Sequence, residues 1–293
     1  TFATIGSVIK KKYLFSEIQH IIIDECHLVN ANAGMYFEFI ESLPNAKVLG
    51  LTATPYRLGA GYPDGAMLKF ITRTRPKIFN KVIYHIQNKT LFDAGHLAKL
   101  EYFTKDIIDR SRLKTNTTGT DFTEQSLKDA YQDANMQGQT IDVANRVLAK
   151  RKNLLIFCTM ISEAMQVTKG IPGAVIVTGD TEDAIRDRIL VDFKAGRIRC
   201  VVNVGVLTTG FDYPELEATL IARSTMSLSL YYQMIGRVMR PHPNKSTAWV
   251  IDLGGNYSFF GKIETMEIRQ CERGHYSIWQ GTRQLTNVSF QKN

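Results

Sequence analysis

Two adjacent carboxylates follow an apolar run near the start of the sequence, where Asp24 and Glu25 come directly after Ile21-Ile22-Ile23. One carboxylate at a strand end can hold Mg²⁺, while its neighbour activates a water molecule for attack on a phosphate. An acidic turn that caps a helix accounts for the same residues. The pair by itself therefore leaves two interpretations open, a phosphate-hydrolysing site and a structural turn.

A segment with two arginines, residues 227–241, offers the complementary charge. Its apolar residues recur at helical spacing and predict an amphipathic helix that ends at Pro241. The apolar stripe consists of Tyr231, Met234, Ile235 and Val238. Gln233, Arg237 and Arg240 share a different face of this helix, where two guanidinium groups can clamp a triphosphate. A solvated basic face is the alternative.

Two further segments bring hydroxyl groups to the ends of predicted strands. Thr52 and Thr54 follow residues 48–51, and their hydroxyls can relay hydrogen bonds between a nucleotide site and a second surface. Thr208 begins a strand-to-loop turn in which Gly210 allows the backbone to approach a phosphate closely. A threonine-rich strand before a proline, and an ordinary turn, explain the two segments without any ligand.

The elements that would position these residues are seven short apolar runs. Because the runs are continuous rather than alternating, they predict buried strands of parallel sheets. They are residues 21–23, 48–51, 154–157, 174–177, 200–204, 219–222 and 249–251. Helical patterns lie between many of them, as at Glu182–Ala195, where we expect Thr181 to cap the helix. Short helices are expected at residues 121–128 and 139–150, and the alternation predicts an α/β fold with doubly wound parallel sheets.

Polar residues follow four of these runs directly. They are the clusters at residues 24–25, 52–54, 178–180 and 208–212. Because ligands of open parallel sheets bind outside the carboxyl ends of the strands, we expect the clusters to line a cleft between two domains. We place the domain boundary near residue 95, which gives domains 1–94 and 95–270. The second includes a polar loop near residues 110–120, and residues 271–293 form a C-terminal tail.

Composition bounds the class of protein. The 293 residues include 36 Lys and Arg against 28 Asp and Glu, so the net charge is +8, and 44% of residues are hydrophobic. These values predict about two globular domains and exclude a disordered or fibrous chain. The pI of about 9.2 favours an anionic partner, nucleic acid first. We expect no membrane span and no disulfide scaffold, since no long apolar run and no CxxC pair occur.

In their order and spacing, these segments resemble the motifs of superfamily 2 helicases and translocases. Asp24-Glu25-Cys26-His27 resembles the Walker B box, Thr52-Ala53-Thr54 resembles motif III, and residues 155–158 resemble the strand of motif IV. Residues 208–212 resemble motif V, and residues 233–241 fit the QxxGRxxR form of motif VI. The resemblance implies an α/β protein with two RecA-like parallel-sheet domains, the P-loop NTPase fold, the first of them incomplete.

Within that superfamily the sequence is most similar to RadD-type repair helicases and to the restriction-endonuclease motor (ResIII) family. The similarity lies in residues 50–59, 91–97 and 233–241, and residues 3–7 stand where the superfamily has motif Ib. The resemblance covers about residues 1–256. It implies ATP and Mg²⁺ as cofactors and a nucleic acid as track, with DNA favoured over RNA.

The resemblance also implies a role for each matching residue. Asp24 would bind Mg²⁺, Glu25 would activate the attacking water, and Arg237 and Arg240 would reach the γ-phosphate as arginine fingers. Gln233 would help to hold the nucleotide. The remaining implied residues are Gly210 and Asp212 for the nucleotide and its coupling, His27, Thr52 and Thr54 for coupling, and Thr4, Ser7, Thr159, Thr178 and Thr208 for the backbone of the tracked strand.

Two departures from the family pattern matter. The sequence contains no GxxxxGK[ST] motif, so we expect a truncated core that lacks the phosphate-binding loop and is inactive alone. Cys271 and His275 resemble half of a zinc knuckle, but zinc needs about four ligands, and we expect a solvated turn without metal.

The leading hypothesis is an ATP-dependent helicase or translocase in the cytoplasm of a bacterial or phage-infected cell. By resemblance alone, its partners would include single-stranded-DNA-binding or repair proteins. A nucleic-acid clamp without hydrolysis and the motor subunit of a restriction enzyme are the alternatives. A metal-dependent nuclease that uses Asp24 and Glu25 would leave the arginine segment unexplained.

Overall fold

The computed structural model describes residues 2–62, 65–117, 121–208, 210–271 and 274–288. Parts of four predicted features lie outside these residues: Thr1 of the first domain, residues 118–120 of the polar loop, Thr209 of the motif V segment, and residues 272, 273 and 289–293 of the tail. The helices and strands below are those of the described residues.

The first part of the chain holds a small parallel sheet and a hairpin. Strands β1 (His20–Ile23) and β2 (Lys47–Gly50) run parallel, and Ile23 pairs with Gly50. Strands β3 (Tyr56–Tyr62) and β4 (Gly65–Phe70) form the antiparallel hairpin. Two α-helices, α1 (Ile5–Val8) and α2 (Met35–Glu41), and 3₁₀ turns at residues 9–15, 26–28 and 71–73 complete this part.

A six-stranded parallel sheet forms the centre of the rest of the chain. Its strands are β5 (Leu100–Thr104), β6 (Leu154–Cys158), β7 (Ala174–Val177), β8 (Cys200–Asn203), β9 (Ala218–Ala222) and β10 (Ala248–Asp252). The spatial order is β5-β10-β9-β6-β8-β7, and every neighbouring pair is parallel. Every residue of β6, β8 and β9 is buried, as continuous apolar runs predict.

Helices precede, connect and follow these strands. They are α3 (Asn88–Asp93), α4 (Glu124–Asp133), α5 (Met136–Leu148), α6 (Ile161–Gly170), α7 (Asp183–Lys194), α8 (Leu228–Gly236) and α9 (Asn256–Phe260), with 3₁₀ turns at residues 110–112 and 263–265. Helix α7 confirms the predicted helix, but its cap was predicted wrongly. Glu182 is the N-cap residue, and the Thr181 hydroxyl instead accepts a hydrogen bond from the Thr178 amide, 2.9 Å away.

Helix α8 ends earlier than predicted, at Gly236 rather than at Pro241. After the helix, the Val238 amide donates to the Ile235 carbonyl and the Met239 amide donates to the Gly236 carbonyl. These bonds reach three residues back instead of four, which tightens the chain into a turn. Val238 and Met239 are buried, so apolar burial draws this turn into the core. The expectation that Gln233 and both arginines share one helix face is therefore wrong, because the arginines follow the helix.

The small sheet also differs from expectation. Its strands were predicted to be buried, yet Ile22 is 67% exposed, and Leu51, just after β2, is 50% exposed. Within the described residues, β1 and β2 pair only with each other. One face packs on the core through Ile23, and the other lies open.

A three-stranded antiparallel sheet near the C-terminus has no counterpart in the sequence prediction. It consists of β11 (Met266–Gln270), β12 (Tyr276–Gln280) and β13 (Arg283–Gln284). Asn287 joins it to the hairpin, since its amide donates to the Leu68 carbonyl and its side-chain oxygen accepts from the Phe70 amide. Ile278 and Leu285 bury this sheet against the main core.

A buried carboxyl in the first turn of α6 makes stability depend on pH. Burial raises the pKa of Glu163 to about 7, although the amides of Thr159 and Met160 oppose the rise. Between about pH 4.5 and 7 the folded protein therefore keeps a proton that the unfolded chain has lost, so stability falls as pH rises through this window.

We expect Glu163→Gln to remove this dependence and to raise the free energy of unfolding above pH 7 by about 3 kcal/mol. Urea denaturation at pH 5, 6, 7 and 8 measures the difference from the wild type. Glu124→Gln, in the exposed first turn of α4, is the matched control and should leave the profile unchanged. Parallel pH profiles for Glu163→Gln and the wild type would contradict the expectation.

Candidate functional site

The acidic pair lies at the carboxyl end of β1. Glu25 has a left-handed backbone (φ +48°), which is uncommon for a residue with a side chain and is a form of strain that clusters at functional sites. Its amide donates to Asp24 Oδ1 at 2.9 Å. Burial raises the pKa of Glu25, and the neighbouring Asp24 charge raises it further. The charge of Arg237 lowers the same pKa.

His27 links the acidic pair to helix α8. Its Nδ1 lies 2.9 Å from the Thr52 hydroxyl and 3.3 Å from Glu25 Oε2, and its Nε2 lies 3.1 Å from Nε2 of Gln233. With this placement of the Gln233 amide, His27 Nε2 accepts and Nδ1 carries the proton. Burial, and then the charge of Arg57, lowers the pKa of His27, so the ring is neutral at pH 7.

A second bridge joins the same two parts of the chain. The hydroxyl of Ser229, on α8, donates to the Thr54 hydroxyl at 3.0 Å. The Thr54 amide in turn donates to the Thr52 hydroxyl at 3.0 Å. His27, Thr52 and Thr54 are thus brought together against α8, and their role in coupling stays a prediction.

The two arginines reach the cleft from the turn after α8. Arg237 Nε donates to the Gln233 carbonyl at 3.3 Å, and Nη1 donates to the Phe211 carbonyl. Burial and the neighbouring Arg240 lower the pKa of Arg237, while Glu25 and Asp212 oppose this. Arg240 is more exposed and pairs with Asp212 through Nε and Oδ1, 2.8 Å apart.

The residues predicted to contact a nucleic-acid backbone fall into two groups. Thr159, Thr178 and Thr208 follow β6, β7 and β8, which are neighbours, so all three lie along one edge of the large sheet. The Thr178 hydroxyl is buried and accepts from the Asp180 amide. The second group, Thr4 and Ser7, is exposed at the start of α1 in the first part of the chain.

The loop after β8 contains Gly210, whose φ of +70° is a conformation that favours glycine. Thr208 and Gly210 lie in the loop after β8, and Thr209 between them lies outside the described residues. The use of this loop in nucleotide binding stays a prediction.

Two contacts at the site were not predicted. Arg57 Nη1 donates to the Leu28 carbonyl at 2.8 Å, which holds the turn that carries His27. Ser229 forms the bridge to Thr54 described above. An arginine two residues after the Thr-Ala-Thr-Pro segment was visible in the sequence, but its partner is a carbonyl, which leaves no signal in sequence.

The acidic pair fits a magnesium ion. The Asp24 charge raises the pKa of Glu25, so the two carboxylates repel each other, and a divalent cation would relieve this repulsion. Mg²⁺ needs only one or two carboxylates when phosphate oxygens supply the other ligands. Among the described residues, no group of three or more His, Cys, Asp or Glu side chains could hold a metal. The Cys271 amide donates to the His275 carbonyl at 2.6 Å.

The parallel sheets and the helices between their strands define an α/β protein, with the acidic pair at the carboxyl end of β1. The fold is that of the RecA-like domains. No helix within the described residues is long and apolar enough to cross a membrane.

Two family models match the chain, one over its first part and one over its second part. Residues 1–57 match the res subunit of type III restriction enzymes, and residues 139–242 match the helicase conserved C-terminal domain. The first match contains the acidic pair and the second contains Gln233 and both arginines. Together the two matches support a superfamily 2 helicase core.

Similar proteins agree with this assignment. A 51.5 kDa protein of a Lactococcus phage is 29% identical over 275 residues, which is 89% of this chain and 55% of the phage protein. The putative ATP-dependent helicase IRC3 of Saccharomyces cerevisiae is 27% identical over 268 residues, 86% of this chain and 37% of IRC3. The chain thus spans about half or less of the length of these relatives.

Among solved structures, the ATP-dependent type ISP restriction-modification enzyme LlaBIII bound to DNA has the same fold, with a TM-score of 0.57 at 18% identity. The match covers 84% of this chain and 19% of that enzyme.

Proposed function

We propose that the full-length protein is an ATP-dependent DNA helicase or translocase that couples ATP hydrolysis to movement along a strand. One observation carries the proposal: His27, just after the acidic pair, and Gln233, on the helix that precedes the two arginines, lie within hydrogen-bond distance at 3.1 Å. A triphosphate bound beside this contact would have acidic groups and guanidinium groups within reach. Closing and opening of a cleft is how a two-domain motor converts hydrolysis into stepping.

Each side chain has a specific task in this proposal. Asp24 would hold Mg²⁺, which would supply positive charge against the phosphates, and Glu25 would orient and activate the attacking water. Arg237 and Arg240 stabilise charge on the transferring phosphoryl group. Gln233 holds the closed interface through His27. Gly210 and Asp212 support the nucleotide, and the Asp212–Arg240 pair keeps Arg240 extended until a phosphate replaces the carboxylate.

DNA is the proposed track. The +8 charge suits a phosphate backbone, the first family match is to a restriction enzyme subunit, and LlaBIII was solved bound to DNA. Thr159, Thr178 and Thr208 at the edge of the large sheet, with Thr4 and Ser7 on α1, would contact the backbone without reading sequence. The phage relative fits a place in the cytoplasm of a bacterial or phage-infected cell. Single-stranded-DNA-binding or repair proteins are proposed as partners by the family resemblance alone.

Two alternatives retain support from specific observations. The 293 residues hold no GxxxxGK[ST] motif, which favours a clamp that grips nucleic acid without hydrolysis. The restriction-subunit match favours a motor that serves a restriction enzyme. We further propose that the 293 residues alone hydrolyse ATP slowly, and brisk Mg²⁺-dependent turnover by them would contradict this.

The deciding experiment is ATP hydrolysis by the full-length protein with no nucleic acid, single-stranded DNA, duplex DNA or single-stranded RNA. We expect DNA to stimulate turnover and Arg240→Ala to remove the stimulation, because Arg240 would no longer reach the phosphate. Arg146→Ala, on the exposed face of α5, is the matched control. Stimulation by RNA alone would overturn the choice of DNA. Binding of DNA without hydrolysis would favour the clamp.

A further inference from the structure

Every polar atom of Thr225, which lies just before helix α8, forms a hydrogen bond. Its amide donates to Asn256 Oδ1 at 3.0 Å, and its carbonyl accepts from Arg110 Nη2 at 2.8 Å. Its hydroxyl donates to Asp121 Oδ2 at 3.1 Å and accepts from the Ser227 amide at 3.0 Å. Thr225 is fully buried, so these bonds are not in competition with bulk water.

The topology of the large sheet explains why these residues meet. Strands β5, β10 and β9 are parallel neighbours, so their carboxyl ends lie side by side. The chain after β5 brings Arg110 and Asp121, the chain after β10 brings Asn256, and the chain after β9 is the segment that holds Thr225. Two other segments of the chain thus converge on Thr225, two residues before the N-cap residue of α8.

Arg110 is the centre of this cluster. Its guanidinium carbon lies 5.0 Å from the ring centre of Phe122 and 4.5 Å from that of Phe259. It also donates to the Gly254 carbonyl and to Asn256 Oδ1. Burial lowers the pKa of Arg110 to about 10, and Asp252 and Asp121 oppose this, so the group stays charged at pH 7. A buried, planar guanidinium that donates three hydrogen bonds is a rigid anchor.

The cluster controls the start of the helix that forms the site. Ser227 caps α8 by accepting the Leu230 amide at 3.2 Å, and Ser227 is itself held by Thr225. The Met226 amide donates to Asp121 Oδ1 at 3.1 Å. In its first turn α8 places Ser229 against Thr54, and one turn further along it places Gln233 against His27.

We propose that Arg110 and Asp121 are positioning residues for this site: they fix the N-terminal end of α8 so that Gln233 meets His27. This inference rests on the proposed function for its consequence in turnover, and its geometric part stands independently. Both residues lie in the chain between the segments that resemble motifs III and IV.

The test uses Asp121→Ala, which removes both acceptors, and Asp121→Asn, which keeps one. The readout of geometry is the ¹⁵N resonances of the His27 ring, assigned by their loss in His27→Asn. In the wild type we expect the proton on Nδ1, because Nε2 accepts from Gln233. Asp121→Ala should shift the ring towards the Nε2–H form that free imidazole side chains prefer in water, and Asp121→Asn should lie between.

The readout of function is the ATP turnover of the full-length protein. Asp121→Ala should lower kcat about tenfold and leave the KM for ATP within about threefold, because misplaced arginines act mainly on the transition state. Arg110→Lys, which keeps the charge but loses the planar fork, should lower kcat in the same way. The matched controls are Asp133→Asn and Arg112→Lys, which change an exposed ion pair in the same part of the chain.

The outcomes distinguish the positioning role of Arg110 and Asp121 from the proposed ATP-dependent function. His27 resonances and kcat that match the wild type in Asp121→Ala and Arg110→Lys would overturn the positioning role. A wild type that hydrolyses no ATP with any nucleic acid would overturn the proposed function, while the His27 resonances would still decide the positioning. A shifted His27 ring with lower kcat, and unchanged controls, would support both.

Discussion

Replacement of Arg237 by lysine is expected to lower nucleic-acid-stimulated ATP turnover roughly 10³-fold, the size of effect that arginine fingers have in phosphoryl transfer. Lysine keeps a positive charge but presents a point charge instead of a planar fork, so it cannot bond the Phe211 carbonyl and a phosphate together. The loss should fall on kcat, since the charge that Arg237 meets develops in the transition state.

The measurement is kcat and KM for ATP in the full-length protein with saturating single-stranded DNA. Arg146→Lys is the control, because Arg146 is exposed on α5 and pairs only with Asp142 within the described residues. Circular dichroism and thermal unfolding would show that Arg237→Lys is folded. A kcat within about threefold of the wild type would contradict the role given to Arg237.

The second large effect is on stability and comes from Lys245. Its ammonium is buried and donates to three carbonyls, those of Pro214, Leu216 and Val238, at 2.7, 3.0 and 3.0 Å. It thereby ties the chain after Asp212 to the turn after α8. Burial lowers the pKa of Lys245 to about 8, so at pH 7 it is charged and its three N–H groups match three acceptors.

Lys245→Met should lower the free energy of unfolding at pH 7 by about 3–5 kcal/mol, because three buried carbonyls lose their donor and methionine offers none. Urea unfolding, followed by circular dichroism, measures the change. Lys99→Met, at an exposed lysine before β5, should change stability by less than about 0.5 kcal/mol. A similar small change for Lys245→Met would show that water reaches these carbonyls.

Much of the large sheet could be predicted because its strands are covered on both faces. Burial on both sides demands apolar residues at every position, and β6, β7, β8, β9 and β10 each begin and end within one residue of a predicted run. Strand β5 was missed because its sequence, Leu100-Glu101-Tyr102-Phe103-Thr104, contains no continuous apolar run: Glu101 and Thr104 interrupt the apolar residues.

The residues of the site were predictable as types and spacings, but their geometry was not. The end of α8 depends on the burial of Val238 and Met239, which tightens the chain before the proline that the sequence singles out. The bridge from His27 to Gln233 spans 206 residues, and the contact of Arg110 with Thr225 spans 115. Such contacts depend on how the strands are ordered in the sheet, and no local pattern in the sequence carries that information.

The most direct test of the central claim, that Glu25 and Arg237 act in one ATP-hydrolysing site built from two sheets, is a double-mutant cycle. It compares kcat of the full-length wild type, Glu25→Gln, Arg237→Lys and the double variant, with saturating single-stranded DNA. Groups that act as a unit give non-additive losses, so we predict a double variant about as slow as the slower single variant. Losses that multiply, or a wild type that hydrolyses no ATP, would contradict the claim.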